Sequence, residues 1–280
     1  MKANIGIRAH DMGALPLDRL TKELTDKKLS SVQLAIAKSF PQFYPGAGSL
    51  TPGLAHHVKQ AFAEHKIQIA VLGCYINMIH PDENERKNQL NRFKEHIRYA
   101  RDAGCSIVGT ETGSVIPELG YTEDNFGEEP YQEVVKSVRE LVAEAEKFGV
   151  IVGIEGGINH PIHTPQRMKR LLDDISSTNL QVIYDPANFM SLENYTQQEK
   201  VIEEALTLFG DRIAVLHAKD FVVKDGQIEM VPVGTGQLKY DVLFGHLKQR
   251  KPYINILMEN TKEPHISSSI AFLQETYEQA

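Results

Sequence analysis

VIVGIEGG, residues 150–157, is an apolar, β-branched run that stops on a carboxylate, Glu155, and a glycine pair. A continuous run of this kind reads as a strand buried on both faces, the form found in parallel sheets. The same form recurs downstream. LQVIYD at 180–185 ends on Asp185, RIAVLHA at 212–218 carries His217, and YINILME at 253–259 ends on Glu259. Each interval leaves room for a loop, a helix and the next strand, as successive βα units require. Parallel strands present their C-terminal ends on one face, so the four polar side chains are expected to converge there.

Working back towards the N-terminus, ANIGIRA (3–9), SVQLAI (31–36), IQIAVLG (67–73) and SIVGTE (106–111) bring the strand-like runs to eight. Between them lie segments with apolar residues at helical spacing: Leu17 to Leu24, Leu54 to Phe62, Phe93 to Ala103, Val134 to Phe148, Met168 to Ile175, Val201 to Phe209 and Val242 to Leu247, with Ile266 to Tyr277 last. Thr51–Pro52 and Thr164–Pro165 read as helix starts, and Gly104, Gly149 and Gly210 sit where C-caps belong. Eight repeats of strand then helix predict the α/β class and a single (β/α)8 TIM barrel. At 280 residues the chain is close to the usual size of about 250 for that fold. No composition break or low-complexity tract divides residues 1–280, so one domain is expected.

With 30 basic and 37 acidic side chains, a net charge of −7 and no basic run interleaved with aromatics, the chain is not expected to bind nucleic acid. No segment approaches the roughly 18 uninterrupted apolar residues of a membrane span, and MKANIGIRAHD lacks the form of a signal peptide. The two cysteines, Cys74 and Cys105, form no metal or disulfide pattern and suit a reducing cytoplasm as small buried hydrophobes.

Two Glu, one Asp and one His offer oxygen and imidazole ligands without a thiolate. That set suits a catalytic divalent ion such as Mn²⁺ or Mg²⁺ better than a structural zinc. Any one of the four could instead cap a helix or face water. Together, ionisable groups directly after apolar strands face a partly desolvated mouth, where burial without a cation or partner is costly. Other strand ends supply candidates for the pocket: His10 and Asp11, Asn77, Glu111, His160 and His163, Asn188 and Lys219. A capping or solvent-facing role competes at each.

Two connections, 113–130 and 221–240, are long enough to be lids or binding loops. The second reads as a hairpin around Asp225 and Gly226 followed by GTG, 234–236, which is at best a weak phosphate signal. No cluster of Arg or Lys is visible near the strand ends, so an unphosphorylated sugar is expected.

Taken in order, VGIEGG, VIYDPAN, LHAKD and LMEN resemble the xylose isomerase-like barrels, in particular the sugar phosphate isomerase/epimerase group that includes ketose 3-epimerases and inosose dehydratases. GCYIN ending at Asn77, His80–Pro81 and the GTG loop are similar to that group as well. The resemblance implies that Glu155, Asp185, His217 and Glu259 bind one divalent metal ion, Mn²⁺ first, with Mg²⁺, Co²⁺ or Zn²⁺ compatible. It implies that Glu155 and Glu259 are also catalytic, flanking a ketose or related polyol and moving a proton through a metal-bound enediolate. Asn188, Lys219, Glu111, Asn77 and His10 are then the expected substrate contacts. Association into a homo-oligomer through the C-terminal face is implied too.

The chain departs from the ketose 3-epimerases at Asn188, where they carry His, and at Lys219–Asp220, where an Arg is usual. Those positions touch substrate hydroxyls, so dehydration of an inosose-like keto-polyol stays open beside epimerisation and isomerisation. A non-catalytic sugar-binding barrel stays open too. A trinuclear-zinc phosphoesterase on the same scaffold is opposed by the acidic surface.

Overall fold

The structure of the protein, a computed structural model, describes residues 2–280. All eight strand runs form: β1 (Asn4–Arg8), β2 (Ser31–Leu34), β3 (Gln68–Gly73), β4 (Ile107–Glu111), β5 (Ile151–Glu155), β6 (Leu180–Tyr184), β7 (Ile213–Ala218) and, after a hairpin of β8 (Asp220–Lys224) and β9 (Gln227–Val231), β10 (Asn255–Met258). The eight pair in parallel and close in the order β1-β10-β7-β6-β5-β4-β3-β2. This is the (β/α)8 barrel that the strand and helix periodicity predicts.

Around it lie α1 (Leu17–Asp26), α3 (Pro52–Glu64), α4 (Glu83–Ala100), α5 (Glu128–Phe148), α6 (Pro165–Ile175), α7 (Gln198–Phe209), α8 (Tyr240–Arg250) and α9 (Ile266–Gln279), with a single turn, α2 (Ile36–Ser39), between β2 and α3. Their starts follow the sequence signals. Thr51 Oγ1 accepts from Leu54 N at 3.1 Å and Thr164 Oγ1 from Arg167 N at 3.2 Å, each with proline at the first helical position. Gly149 ends α5 in the left-handed region, φ +59°. Gly210 differs: its φ is −57°, because the chain continues from α7 into a 3₁₀ turn, Gly210–Arg212, and needs no left-handed residue.

Apolar helix faces, such as Val134, Val138, Leu141 and Ala145 of α5, pack on the outside of the barrel. Inside it, Ala70, Val71, Ile183, Val215 and Leu257 form a separate fully buried plug. Gly109 and Gly153 make room for that plug: a Cβ on either would lie 2.6 or 2.9 Å from Ile183 Cδ1. Burying a side chain like Ile183 stabilises the fold by about 1.5–3 kcal/mol, so the barrel floor is rigid beneath whatever sits at its mouth.

The register sets what reaches that mouth. Glu111 pairs with Glu155 at the ends of β4 and β5, and His217 with Leu257 near the ends of β7 and β10. Asp225 and Gly226 both take positive φ, +50° and +71°, as a tight β8–β9 hairpin demands. Among the described residues, no helix is long and apolar enough to cross a membrane.

Candidate metal centre

Four consecutive strands of the barrel wall, β5, β6, β7 and β10, carry at or just past their C-terminal ends the four residues that stand out in the sequence. Each of Glu155, Asp185, His217 and Glu259 offers one ligand atom, and those atoms all lie within 4.8 Å of one another. All four residues are buried, Asp185 completely.

Asp185 shows how a cap and a ligand coexist. Its Oδ1 caps the 3₁₀ turn Pro186–Phe189 by accepting from Ala187 N at 2.9 Å and Asn188 N at 3.3 Å. Its Oδ2 points inward without a hydrogen bond, although Lys219 Nζ lies 3.0 Å away at an angle that makes none. Glu259 Oε2 and His217 Nδ1 are likewise buried with no hydrogen-bonding partner. Three orphaned atoms converging on one point are costly unless something binds them.

His217 is oriented from across the barrel. Its Nε2 lies 2.6 Å from Gln33 Oε1, while Gln33 Nε2 donates to the Tyr75 hydroxyl at 2.8 Å and that hydroxyl donates to Glu155 Oε2 at 3.2 Å. With its NH₂ given to Tyr75, the amide has its carbonyl oxygen left for His217. The proton of the neutral imidazole therefore sits on Nε2, and Nδ1 turns its lone pair towards Glu155 and Glu259, each 3.2 Å away. A lone pair and two carboxylate oxygens at that distance repel unless a cation stands between them. The donor set of three oxygens and one imidazole nitrogen fits a divalent ion.

Without such an ion, protons take its place. Burial disfavours charge on His217, but Glu155 and Glu259 outweigh it and push the imidazole up to about 10. Burial raises Glu155 and Asp185 above the ordinary carboxylate range. Glu259 is buried too, yet Lys219, His217 and Arg8 hold it well below that range. Arg8, the one charge in β1, bonds Glu259 Oε1 and is itself held by Asp11 at 2.9 and 3.1 Å and by Asn260 Oδ1 at 2.8 Å.

The structure brings Asn188 and Lys219 into the cluster. Asn188 Nδ2 donates to Glu155 Oε1 at 2.7 Å, and Lys219 Nζ donates to Asn188 Oδ1 at 2.9 Å and lies 3.4 Å from Glu259 Oε2. His10 stands in the 3₁₀ turn Ala9–Met12 beside Arg8, its Nδ1 buried and unpartnered. Burial, helped by Arg8, lowers its pKa to about 4, so it is neutral near pH 7. Glu111 lies next to Glu155 in the sheet and faces His160 Nε2 at 3.7 Å, while His160 Nδ1 donates to Gly113 O at 2.8 Å. Two residues stay apart. Asn77 spends its side chain on the backbone of Ser114, Ile79 and Ile116, pinning the β4–α5 connection. His163 stacks on Phe126, ring centres 4.0 Å apart, in an 810 Å³ cleft at the rim with Tyr121, Leu192 and the hairpin tip.

The GTG loop is occupied by the chain itself. Asp220 accepts from Gly234 N, Gly236 N and Leu238 N at 3.0 Å each and from its neighbour Phe221 N at 2.9 Å. A Cβ on Gly236 would meet Asp220 Oδ1 at 2.3 Å, so glycine there is needed for close approach. The amides that could have cradled a phosphate are spent on Asp220.

Sequence reasoning did not single out Gln33, Tyr75 and Arg8. Gln33 and Arg8 carried a weak signal, each a polar side chain in a mostly apolar strand run that it shares with Ser31 or Asn4; Tyr75 carried none, because it lies beyond the end of β3.

The model of the family described as xylose isomerase-like TIM barrel matches residues 23–276. No curated protein matches the chain. Among solved structures, the chain is similar to a D-tagatose 3-epimerase-like protein (18% identity, TM-score 0.74, covering 100% of this chain and 97% of that one). It is also similar to a 3-keto-D-glucoside 4-epimerase from E. coli in its apo form (17%, 0.74, 98% and 100%). A third is the IOLI protein with a bound zinc atom (16%, 0.72, 100% and 96%). At these identities the likeness is one of fold.

Proposed function

The chain belongs to the xylose isomerase-like TIM barrel family, and on that premise we propose that it is a divalent-metal-dependent isomerase or epimerase acting on a ketose or related polyol, with residues 1–280 as one catalytic domain. The observation that carries the proposal is the convergence of three unpartnered buried atoms, Asp185 Oδ2, His217 Nδ1 and Glu259 Oε2, beside Glu155. Glu155, Asp185, His217 and Glu259 would hold the ion, Mn²⁺ first. When bound, it supplies the charge that acidifies a carbon-bound proton beside a chelating carbonyl.

The remaining chemistry belongs to side chains. Glu259, kept ionised by Lys219 and Arg8, would take a proton from carbon. Glu155, held by Asn188 Nδ2 and the Tyr75 hydroxyl, would return one. Arg8 bonds Glu259 Oε1 and so fixes the orientation of the carboxylate. Asn188 and Lys219 are the substrate-facing donors, with His10 and Glu111 at the mouth. Removal and return on opposite faces of one carbon gives an epimer, and return to the neighbouring carbon gives an isomer.

A second reading, dehydration of a keto-polyol, is favoured by one observation. Lys219 Nζ, 3.0 Å from Asp185 Oδ2 and 3.4 Å from Glu259 Oε2, is a cationic donor placed to assist a departing hydroxyl. The experiment is product analysis by proton NMR of Mn²⁺-loaded protein with ketoses, aldoses and inososes. An epimer or isomer supports the first reading and a dehydrated product the second. Stoichiometric metal with no product across the panel contradicts both.

A further inference from the structure

Behind Tyr75, a cavity of about 270 Å³ opens between the connections that follow β2 and β3 and the flank of α4. Three of its walls are basic, Lys38, Arg92 and His96, and none is acidic. In a chain with 37 acidic and 30 basic residues, a concave site with only cations is unexpected. The basic residues come from segments far apart in sequence, so no run of Arg or Lys announces them.

Arg92 Nη2 is committed to Tyr75 O at 2.7 Å, which fixes the guanidinium; Nε is buried without a partner, so the guanidinium meets the cavity through its outer end. Lys38 is exposed, lies over the Tyr75 ring at 5.6 Å and joins no ion pair among the described residues. His96 is buried and gives its Nδ1 proton to Arg92 O at 2.9 Å, which leaves Nε2 for the side facing Cys74. Burial disfavours charge on His96, but Cys74, the carbonyl of Arg92 and the Glu95 carboxylate outweigh it and raise its pKa. Glu95, which touches the wall through Tyr44, has its oxygens taken by the Tyr44 hydroxyl at 2.9 Å and Leu50 N at 3.0 Å. It is not among the residues lining the cavity, although its charge acts on His96.

We propose that this cavity is an anion site, taking the phosphate or carboxylate of a small molecule between the Arg92 guanidinium and Lys38 Nζ, with His96 in the wall behind them. The volume lies just below the range of about 300–1,000 Å³ for drug-sized ligands, which suits a small anionic group. Fixed guanidinium geometry and a flexible ammonium are the usual partners of such groups. Tyr75 is the shared wall: its ring closes the cavity while its hydroxyl donates to Glu155, so an occupant presses on a residue that positions the metal centre. The inference does not depend on the reaction proposed above.

The test is NMR titration of ¹⁵N-labelled full-length protein with inorganic phosphate and, separately, with acetate, following the Arg92 Nε–H and His96 ring signals. The Arg92 signal is assigned by its loss in Arg92→Gln. Saturable shifts at both residues are expected, with affinity reduced at least about tenfold in Lys38→Glu, an exposed position whose change leaves the fold intact. Saturation by phosphate alone assigns a phosphate-bearing ligand, and saturation by acetate also assigns carboxylates. Absence of saturable shifts with either anion, or shifts that Lys38→Glu leaves unchanged, overturns the proposal.

Discussion

Gln33 Oε1 lies 2.6 Å from His217 Nε2, and this contact decides which imidazole nitrogen faces the carboxylates. Replacing Gln33 with Leu removes the acceptor and frees the ring to flip. Metal affinity is expected to fall about 10- to 100-fold, as for other residues that orient a ligand from behind, measured by titration with Mn²⁺. Gln33→Glu keeps an acceptor and should retain more affinity than Gln33→Leu. Equal affinity in Gln33→Leu and the parent would mean that the contact does not orient His217.

Removing metal should cost stability. An ion at one hundred times its dissociation constant stabilises a fold by about 2.7 kcal/mol when only the folded state binds it. Chelator is expected to lower the melting temperature of the parent protein. Mn²⁺ should raise it in the parent but not in His217→Ala.

Asp220 is expected to matter for stability more than for metal binding. Asp220→Ala orphans the amides of Gly234, Gly236 and Leu238, and the loss should be about 3 kcal/mol or more in urea unfolding. A loss below about 1 kcal/mol would show that water replaces the carboxylate easily.

His10 gives a pH dependence with a definite sign. In the unfolded chain its imidazole takes a proton near 6.5, while in the fold burial and Arg8 delay that to about 4. The unfolded state therefore binds more protons across this window, and stability falls as pH drops through it. His10→Gln should flatten the change in urea midpoint between pH 7 and pH 4.5 relative to the parent. An unchanged slope would assign the acid sensitivity elsewhere.

The barrel was legible because its strands are buried on both faces and so read as unbroken apolar runs, with threonine–proline pairs marking helix starts. The four centre residues were legible for a related reason: in VIVGIE, LQVIYD and YINILME a carboxylate closes an apolar stretch, and in RIAVLHA a histidine stands near its end. Gln33 in SVQLAI and Arg8 in ANIGIRA share their runs with a second polar residue, Ser31 or Asn4, which blurs the signal. Asn77 was legible as a polar strand-end residue but not as a staple, since its partners Ser114 and Ile116 lie across a loop whose path periodicity does not reveal. Asp220 looked like a departure beside Lys219, and only the folded GTG loop shows what it holds. The Lys38–Arg92–His96 cavity was invisible because it is assembled by tertiary packing alone.

The central claim is that Glu155 and Glu259 move a proton on and off carbon at this centre. The most direct measurement is deuterium wash-in from D₂O into a turned-over ketose or inosose, by proton NMR, for the Mn²⁺-loaded parent and for Glu259→Gln. The account predicts loss of one carbon-bound proton signal in the parent and a rate at least about a hundredfold lower in Glu259→Gln, with metal content and unfolding midpoint retained. Undiminished exchange in Glu259→Gln, or product formation in the parent with no deuterium incorporated, would contradict it.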